Sequence, residues 1–199
     1  IQEYKNRLHK VQQSMQKKGI ELLISQDTAN IYYLTGYDAW SFYYSQCVII
    51  HVNADEPICY VRAQDAGGAL IKTYLKKENI VIYPEKYIHT WPNHPYDGLV
   101  ELIKTKKWDK LNIGLEMDSH YFTAFCYEKL RQGLPNANLK DSERLVNWVR
   151  CIKSETEITY MKNAAVISEK AMKTAMEVIN PGVRQCDAVA EIQSALFKG

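Results

Sequence analysis

The sequence has little cysteine and no long apolar run, and each shortage excludes a class of protein. The five cysteines are an odd number, and none forms a Cys-x-x-Cys pair, so neither a disulfide framework nor a cysteine-based zinc site is expected. Such cysteine usage is typical of a reducing compartment, so we expect a cytoplasmic protein. No apolar run approaches the roughly 18 residues that cross a bilayer, and the polar N-terminus is unlike a signal peptide.

An excess of charge of either sign is also missing. The formal net charge is +2, which is too small to indicate a nucleic acid or an anionic membrane as a partner. The lysine-rich stretch 104–110 is expected to be the solvated end of a helix. Since hydrophobic residues make up 46% of the chain, the composition predicts a packed core rather than disorder.

Short motifs that would identify a catalytic centre are absent. None of the five histidines forms a close zinc-ligand pair, and the only adjacent glycines, 67–68, lack the lysine and hydroxyl residue of a phosphate-binding loop. Asp27 and Asp38 have a spacing that also occurs in paired metal ligands, but Asp27 is placed to cap a helix and Asp38 lies in a turn. No metal site is therefore expected in this chain.

The first 140 residues alternate helix-like and strand-like segments. Residues 1–18 have an apolar face at helical spacing and stop at Gly19. Asp27 is placed to cap a short helix that Gly36 ends. Strands are predicted at 21–25, 45–52, 57–62, 79–83, 111–116 and 137–140, with a hairpin between the second and third. Further helices are predicted at 65–75, from Pro95, and from Asp118 or Ser119 to Arg131. This alternation predicts an α/β fold in which helices flank a mixed sheet.

After Asp141 the pattern predicts helices alone. Residues 154–157 (SETE) form a capping box that opens a long helix, which Pro181 and Gly182 end. Another helix is predicted over 184–196. Two helices bury little apolar surface by themselves, so we expect a missing sheet or a partner chain to cover their apolar faces.

Aromatic residues are concentrated in residues 37–44 (YDAWSFYY). Trp40, Phe42 and Tyr44 alternate, so they share one face if the segment is extended. That face could be core, or it could form an aromatic wall for a small ligand or a partner subunit. His89 and His94, in a loop beside Trp91, are compatible with a substrate loop and with ordinary surface histidines.

Two stretches of the sequence resemble one family. Residues 30–37 (NIYYLTGY) are similar to the Asn-x-x-Tyr-Leu-Thr-Gly segment of the creatinase/prolidase N-terminal domain. Residues 149–158 (VRCIKSETEI), followed by MKNAA at 161–165 and PGV at 181–183, resemble the passage that opens the catalytic domain of the pita-bread metallohydrolases, which include creatinase, aminopeptidase P and prolidase. Residues 40–43 and 62–66 are most similar to ectoine hydrolases and creatinase-like members.

The resemblance implies a division of the chain. It implies a creatinase/prolidase N-terminal domain with a ribonuclease-H-like mixed sheet over 1–143, a linker over 144–153, and the first two helices of a truncated pita-bread domain over 154–199. The catalytic and metal-binding residues of the family are implied to follow Gly199. None is therefore assigned to a position here, and the chain alone is expected to be inactive.

The resemblance also implies an activity for the intact parent. It implies hydrolysis of C–N bonds in Xaa-Pro peptides or in small amide or amidine compounds, with manganese, cobalt or zinc in most members. The N-terminal domain of the family helps to form a homodimer and reaches over the partner's active site, and Trp40, Phe42 and Tyr44 are the candidates for that role. The aromatic segment lacks the arginine of creatinase, which argues against creatine as the substrate.

Two other functions are compatible with the residues. Some pita-bread relatives have lost catalysis and act as interaction modules, so a non-catalytic protein-interaction module is the alternative. A ribonuclease-H-like nuclease would need a cluster of carboxylates at strand ends, and only Glu116 and Asp118 qualify, too few for two metal ions.

Overall fold

The computed structural model describes residues 1–39 and 43–199, which form two compact units, Ile1–Cys151 and Ile152–Gly199. Each unit has its own elements and is described by itself. Trp40 and Phe42, two of the three candidates for a substrate wall, lie outside the described residues.

The first unit is built on one mixed sheet. Its strands are β1 (Leu22–Ser25), β2 (Cys47–His51), β3 (Ile58–Arg62), β4 (Ile80–Tyr83), β5 (Asn112–Leu115) and β6 (Asn138–Asp141). Their order across the sheet is β4-β3-β2-β1-β5-β6. The β1–β2 and β2–β3 pairs are antiparallel, which confirms the predicted hairpin, whereas β1–β5, β3–β4 and β5–β6 are parallel.

Helices cover both faces of this sheet. They are α1 (Gln2–Lys17), α2 (Thr28–Thr35), α3 (Ala66–Lys72), α4 (Pro95–Thr105), α5 (Ala124–Gly133) and α6 (Leu145–Cys151), with 3-10 turns at Lys77–Asn79 and Glu85–Tyr87. Alternate residues of a strand point to opposite faces, so the strands feed two cores. Leu23 and Ile50 pack with α1, α2, α3 and α6, and Leu22 and Ile49 pack with α4 and α5. The predicted α/β fold is confirmed.

Most helix ends follow the sequence signals. The Asp27 side chain accepts hydrogen bonds from the amides of Ala29 and Asn30, and Gly36 ends α2 with φ 81°, a left-handed conformation that suits glycine. Pro95 is the first residue of α4. The predicted helix start at Asp118 or Ser119 is wrong: a turn occupies these positions, and α5 begins at Ala124 with Thr123 as its cap.

The helix α6 belongs to the first unit. Its Leu145 and Val146 are buried in the same core as α1, with exposures of 1% and 0%. The sequence-based division into 1–143, 144–153 and 154–199 concerns the domains of a longer protein and stays a prediction.

The second unit consists of α7 (Glu155–Val178) and α8 (Gln185–Lys198). The predicted capping box is confirmed, because Ser154 Oγ accepts from the Glu157 amide at 3.2 Å and the Glu157 carboxylate accepts from the Ser154 amide at 2.8 Å. Apart from Ala171 and Ala188, no side chain of the two helices is buried in the part of the chain that the structure describes. Across the described residues, no helix has the length and apolar character needed to cross a bilayer.

Candidate functional site

The carboxyl ends of β1 and β5 lie where the chain order of the sheet reverses. From β1 the chain builds β2, β3 and β4 on one side, and it later places β5 and β6 on the other. Ligands of open α/β sheets bind outside the carboxyl ends of strands at such a switch point. Gln26 follows β1 at this edge and Glu116 follows β5, while the pairing of Ser25 with Val48 brings the residues before Cys47 there as well.

Glu116 is a buried carboxylate that joins the end of β5 to the segment after β1. Its Oε1 accepts from Ser25 Oγ at 2.7 Å and from Asn30 Nδ2 at 2.7 Å. Its Oε2 accepts from the backbone amides of Gln26 at 2.8 Å and Asp27 at 2.9 Å. Burial raises the pKa of the Glu116 carboxyl, and these hydrogen bonds oppose the shift. With four donors in place, Glu116 anchors this edge of the sheet rather than serving as an open base.

Asn30 extends this anchor to α6. Its Nδ2 also donates to Asn147 Oδ1 at 2.9 Å, and its Oδ1 accepts from Arg150 Nη1 at 2.7 Å. Every polar atom of the Asn30 amide therefore has a partner, and the first residue of the NIYYLTGY segment has a structural role.

A polar cavity of about 160 Å³ lies beside Glu116, lined by Asp27, Glu116, Asp118, Ser119, His120, Asp141, Arg144 and Asn147. Arg144 donates to the Asp118 carboxylate, with Nε at 2.8 Å from Oδ2. The hydrogen bonds and charge of Arg144 hold the pKa of Asp118 below its usual range. Among the described residues, no group of three or more His, Cys, Asp or Glu side chains could hold a metal ion.

An aromatic cleft of about 460 Å³ lies at the same edge. Its described lining is Tyr43, Tyr44, Ser45, Tyr87, Ile88, His89, Thr90, Trp91, Asn93, His94, Pro95 and Phe125. Trp91 stacks on Phe125 with ring centroids 5.6 Å apart, yet Trp91 is 81% exposed. The described lining has no carboxylate, lysine or arginine, so it offers surfaces for binding and no carboxylate for proton transfer.

Tyr44 is held in this cleft by groups from three segments. The Arg62 guanidinium lies 3.9 Å from the centre of the Tyr44 ring. Arg62 also donates to both carboxylate oxygens of Glu85, at 2.8 to 3.1 Å. The His89 ring meets Tyr44 edge-on at 5.6 Å. A two-point ion pair restricts a guanidinium, so Glu85 fixes Arg62 and Arg62 in turn positions the Tyr44 ring.

His94 joins the cleft to α4. Its Nδ1 accepts from the Tyr96 amide at 3.2 Å, and its own amide donates to Asp97 Oδ2 at 2.8 Å. Burial lowers the pKa of the His94 imidazole, the Asp97 carboxylate opposes this, and Lys129 adds to it. Because Nδ1 accepts, the neutral ring carries its proton on Nε2 and is a hydrogen-bond donor there.

An inner cavity of about 180 Å³ adjoins both other spaces. Its described lining is Gln26, Tyr43, Tyr44, Ser45, Gln46, His94, His120, Tyr121 and Thr123. His120 also lines the polar cavity, whereas Tyr43, Tyr44, Ser45 and His94 also line the aromatic cleft. The three spaces therefore lie next to one another along the carboxyl edge of β1 and β5.

Of the three residues predicted for the substrate wall, Tyr44 is the one that the structure describes. Tyr44 lies in the aromatic cleft and the inner cavity, in a bend before β2 rather than in a strand. His89 and His94, which the sequence left open, line the cleft together with Trp91. Sequence reasoning missed the buried glutamines Gln26 and Gln46. The only available signal for Gln26 was its position immediately after a predicted strand.

The comparisons with known proteins agree with this architecture. The model of the creatinase/prolidase N-terminal domain matches residues 7–152. The chain belongs to this family. An uncharacterized hydrolase/peptidase of Sinorhizobium fredii is 44% identical over 197 residues, and the ectoine hydrolase of Halomonas elongata is 40% identical over 199 residues. The matches cover 99% and 100% of this chain and 50% of each relative, so the chain spans about half the length of these curated relatives.

Solved structures of the family share the fold. The Xaa-Pro dipeptidase from Bacillus anthracis has a TM-score of 0.73 at 17% identity, covering 98% of this chain and 49% of that one. The prolidase from Thermococcus sibiricus has a TM-score of 0.75 at 20% identity, and the match covers 97% of this chain and 49% of the prolidase chain.

Proposed function

We propose that the chain is the N-terminal part of a homodimeric hydrolase that cleaves C–N bonds in Xaa-Pro peptides or in small amide or amidine compounds. The support is the 40% identity to an ectoine hydrolase and the likeness in fold to a prolidase and an Xaa-Pro dipeptidase. The matched relatives are about twice as long as the chain, so the reaction is assigned to the longer protein.

The role that we propose for this chain within the longer protein rests on the aromatic cleft. It combines a positioned Tyr44 ring, the exposed Trp91 and a histidine N–H donor without any described carboxylate. Such a lining excludes water and orients a substrate without supplying the nucleophile. In the proposal, this cleft closes over the active site of the partner subunit, and Tyr44 forms one wall of the substrate pocket.

The divalent metal that the family implies does not fit the described residues of this chain. Two of the acidic side chains that line the polar cavity are already engaged: four hydrogen bonds saturate Glu116, and Arg144 neutralises Asp118. Manganese, cobalt or zinc would be held by the remainder of the longer protein, and no step on this chain runs through a metal.

The second unit is proposed to be the start of the catalytic domain. Its large apolar side chains are exposed, including Met172 at 64%, Met176 at 79% and Phe197 at 89%. Contiguous exposed apolar residues mark a surface that another element covers. In the proposal, the rest of the catalytic domain packs on this surface.

The first experiment compares the 199-residue chain with the full-length protein. Both are assayed with Xaa-Pro dipeptides, ectoine and related amides, with manganese, cobalt or zinc added. We expect turnover by the full-length protein alone. Turnover by the 199-residue chain would contradict the proposal, and no turnover by a folded, metal-loaded full-length protein would favour the protein-interaction module.

The second experiment tests whether Tyr44 acts across the dimer. Full-length Tyr44→Ala is expected to lose activity, whereas Tyr44→Phe keeps the ring and serves as the matched control. Tyr44→Ala subunits are then mixed and reassembled with subunits inactivated in the catalytic half. If Tyr44 serves the partner's site, the mixed dimers contain one complete site and regain activity. If it serves its own subunit, mixing restores nothing.

A further inference from the structure

A stacked pair of buried tyrosines, Tyr60 and Tyr83, joins the sheet to the aromatic cleft. Tyr60 is in β3 and Tyr83 is in β4, and both belong to the core formed with α4 and α5. Each is 2% exposed, and their ring centroids are 4.9 Å apart. Because side chains packed in a core keep one rotamer, the two hydroxyl groups have fixed positions relative to the sheet.

Each hydroxyl of the pair holds one wall of the cleft. Tyr83 Oη donates to the Ser45 carbonyl at 2.7 Å, and Tyr60 Oη donates to the Pro95 carbonyl at 2.7 Å. Ser45 lies in the wall that precedes β2, Pro95 lies in the wall that leads into α4, and both line the cleft. Burial raises the pKa of both tyrosines above the ordinary value of 10.0, so both hydroxyls keep their protons at neutral pH.

Gly98, in α4, leaves room for the Tyr60 hydroxyl to reach its wall. A Cβ atom at Gly98 would lie 2.5 Å from Tyr60 Oη and 3.0 Å from Tyr87 Cε2. Atoms at these distances overlap, so a side chain here would displace the Tyr60 hydroxyl from the Pro95 carbonyl. Glycine inside a helix costs stability relative to alanine, and the close approach of Tyr60 explains its presence at this position.

The two walls contact each other across the cleft. The rings of Tyr44 and His89 meet edge-on at 5.6 Å, and the separation of the walls depends on how each is fixed to the sheet. We propose that the Tyr60–Tyr83 pair sets the width of the aromatic cleft. Tyr83 positions the wall that carries Tyr44, and Tyr60 positions the wall that carries His89. Both are positioning residues that act on a substrate through the walls, where a small misplacement weakens binding.

The first test measures the contact between the walls in the 199-residue chain by proton NMR. The ring signals of His89 report on Tyr44, because an aromatic ring shifts the signals of protons beside it. Tyr83→Phe and Tyr60→Phe each remove one hydroxyl and keep the ring, and both are expected to shift the His89 signals. Tyr37→Phe is the control, because it removes a hydroxyl from the core on the opposite face of the sheet. Unmoved His89 signals in either Tyr83→Phe or Tyr60→Phe would overturn the proposal.

A second pair of variants disturbs one wall without changing either tyrosine. Gly98→Ala introduces the Cβ atom that displaces the Tyr60 hydroxyl, so it is expected to shift the His89 signals as Tyr60→Phe does. Gly67→Ala is the control, because Gly67 is also helical and a Cβ atom there meets nothing within 4 Å. If Gly98→Ala shifts the His89 signals no more than Gly67→Ala does, the role of Tyr60 is refuted.

The hydroxyl protons give a measurement that needs no variant. In the unaltered chain, the hydroxyl protons of Tyr60 and Tyr83 are expected to exchange slowly with water, because both groups are buried and donate to carbonyls. If a variant fails to fold, this measurement decides, and fast exchange of either proton would refute the proposal.

The catalytic consequence rests on the proposed function and is measured on the full-length protein. Tyr83→Phe and Tyr60→Phe are expected to raise KM about 2–10-fold at unchanged kcat, the effect of losing one hydrogen bond that positions a binding surface. A merely structural role would lower the melting temperature and leave KM unchanged, as expected for Tyr37→Phe, and that result would overturn the positioning role. Inactivity of the unaltered full-length protein would count against the proposed function alone, and the NMR results would still decide the geometry.

Discussion

Replacing Glu116 by glutamine tests the buried anchor with the smallest possible change in shape. In the parent, both carboxylate oxygens accept, two hydrogen bonds each. A glutamine can place its oxygen toward the backbone amides of Gln26 and Asp27, which cannot turn away. Its NH₂ group then faces Ser25 Oγ and Asn30 Nδ2. The serine hydroxyl can rotate to accept, whereas the asparagine amide cannot, because Arg150 occupies its oxygen.

The expected loss of stability follows from this conflict. One buried N–H of Asn30 loses its acceptor, which costs about 1–3 kcal/mol. The three remaining hydrogen bonds lose their charge assistance, and this loss is offset because glutamine no longer buries a charge. We therefore expect Glu116→Gln to lower the free energy of unfolding by about 2 kcal/mol, or the melting temperature by about 4–8 °C for a chain of this size.

Asn30→Asp should rescue this variant. Alone, it places a second carboxylate against Glu116 and is expected to destabilise the chain more than Glu116→Gln does. In the double variant, the NH₂ group of the glutamine introduced by Glu116→Gln donates to the new carboxylate, which keeps its pairing with Arg150. Asn147 satisfies the other oxygen by turning its amide. The coupling between the two substitutions should be favourable by about 1–3 kcal/mol.

Urea unfolding of the two single variants, the double variant and Glu78→Gln measures these quantities. Glu78 is exposed, so its substitution should stay within about 0.5 kcal/mol of the parent. The account of the anchor is refuted if Glu116→Gln is as stable as this control. It is also refuted if the free energy of unfolding of the double variant falls by the sum of the decreases seen in the two single variants.

The pH dependence of Glu116 supplies an independent readout. Because burial raises its pKa above the ordinary value of 4.5, the folded chain binds this proton more tightly than the unfolded chain. The free energy of unfolding contributed by Glu116 therefore falls as the pH rises from 4.5 through the raised pKa. The difference in free energy of unfolding between the parent and Glu116→Gln should change with pH in that window and nowhere else.

Three further predictions concern the cleft and the second unit. Arg62→Met removes the cation from the Tyr44 ring, so KM of the full-length protein should rise about 2–5-fold at unchanged kcat; an unchanged KM would contradict the positioning role. His94→Asn keeps a helix cap but removes a group whose pKa burial lowers from 6.5. Urea unfolding should show that the parent, and not this variant, loses stability as the pH falls below 6.5. Met176→Lys should reduce hydrophobic-dye binding by the 199-residue chain and lower the melting temperature of the full-length protein. If dye binding does not fall and the melting temperature does not drop, this face lies in solvent in the full-length protein.

Local signals sufficed for most of the first unit because strands and caps are read from neighbouring residues. The hairpin of β2 and β3, the Asp27 cap and the proline start of α4 all follow from patterns a few residues long. The start of α5 was mispredicted for the same reason. Asp118 has the right chemistry for a cap, but its carboxylate is engaged by Arg144, 26 positions away. A competing long-range ion pair has no signature in the local sequence.

The carboxyl edge illustrates why the site was less accessible than the fold. Gln26, Gln46 and Tyr44 become neighbours only because β2 runs antiparallel to β1, which brings the residues before β2 to the end of β1. Arg62 reaches Tyr44 because β3 turns back again and ends at the same edge. Reversing one strand direction would send Gln46 and Arg62 to opposite ends of the sheet. The sequence pattern indicated where strands lie, and the pairing directions, which depend on distant partners, decided which side chains meet.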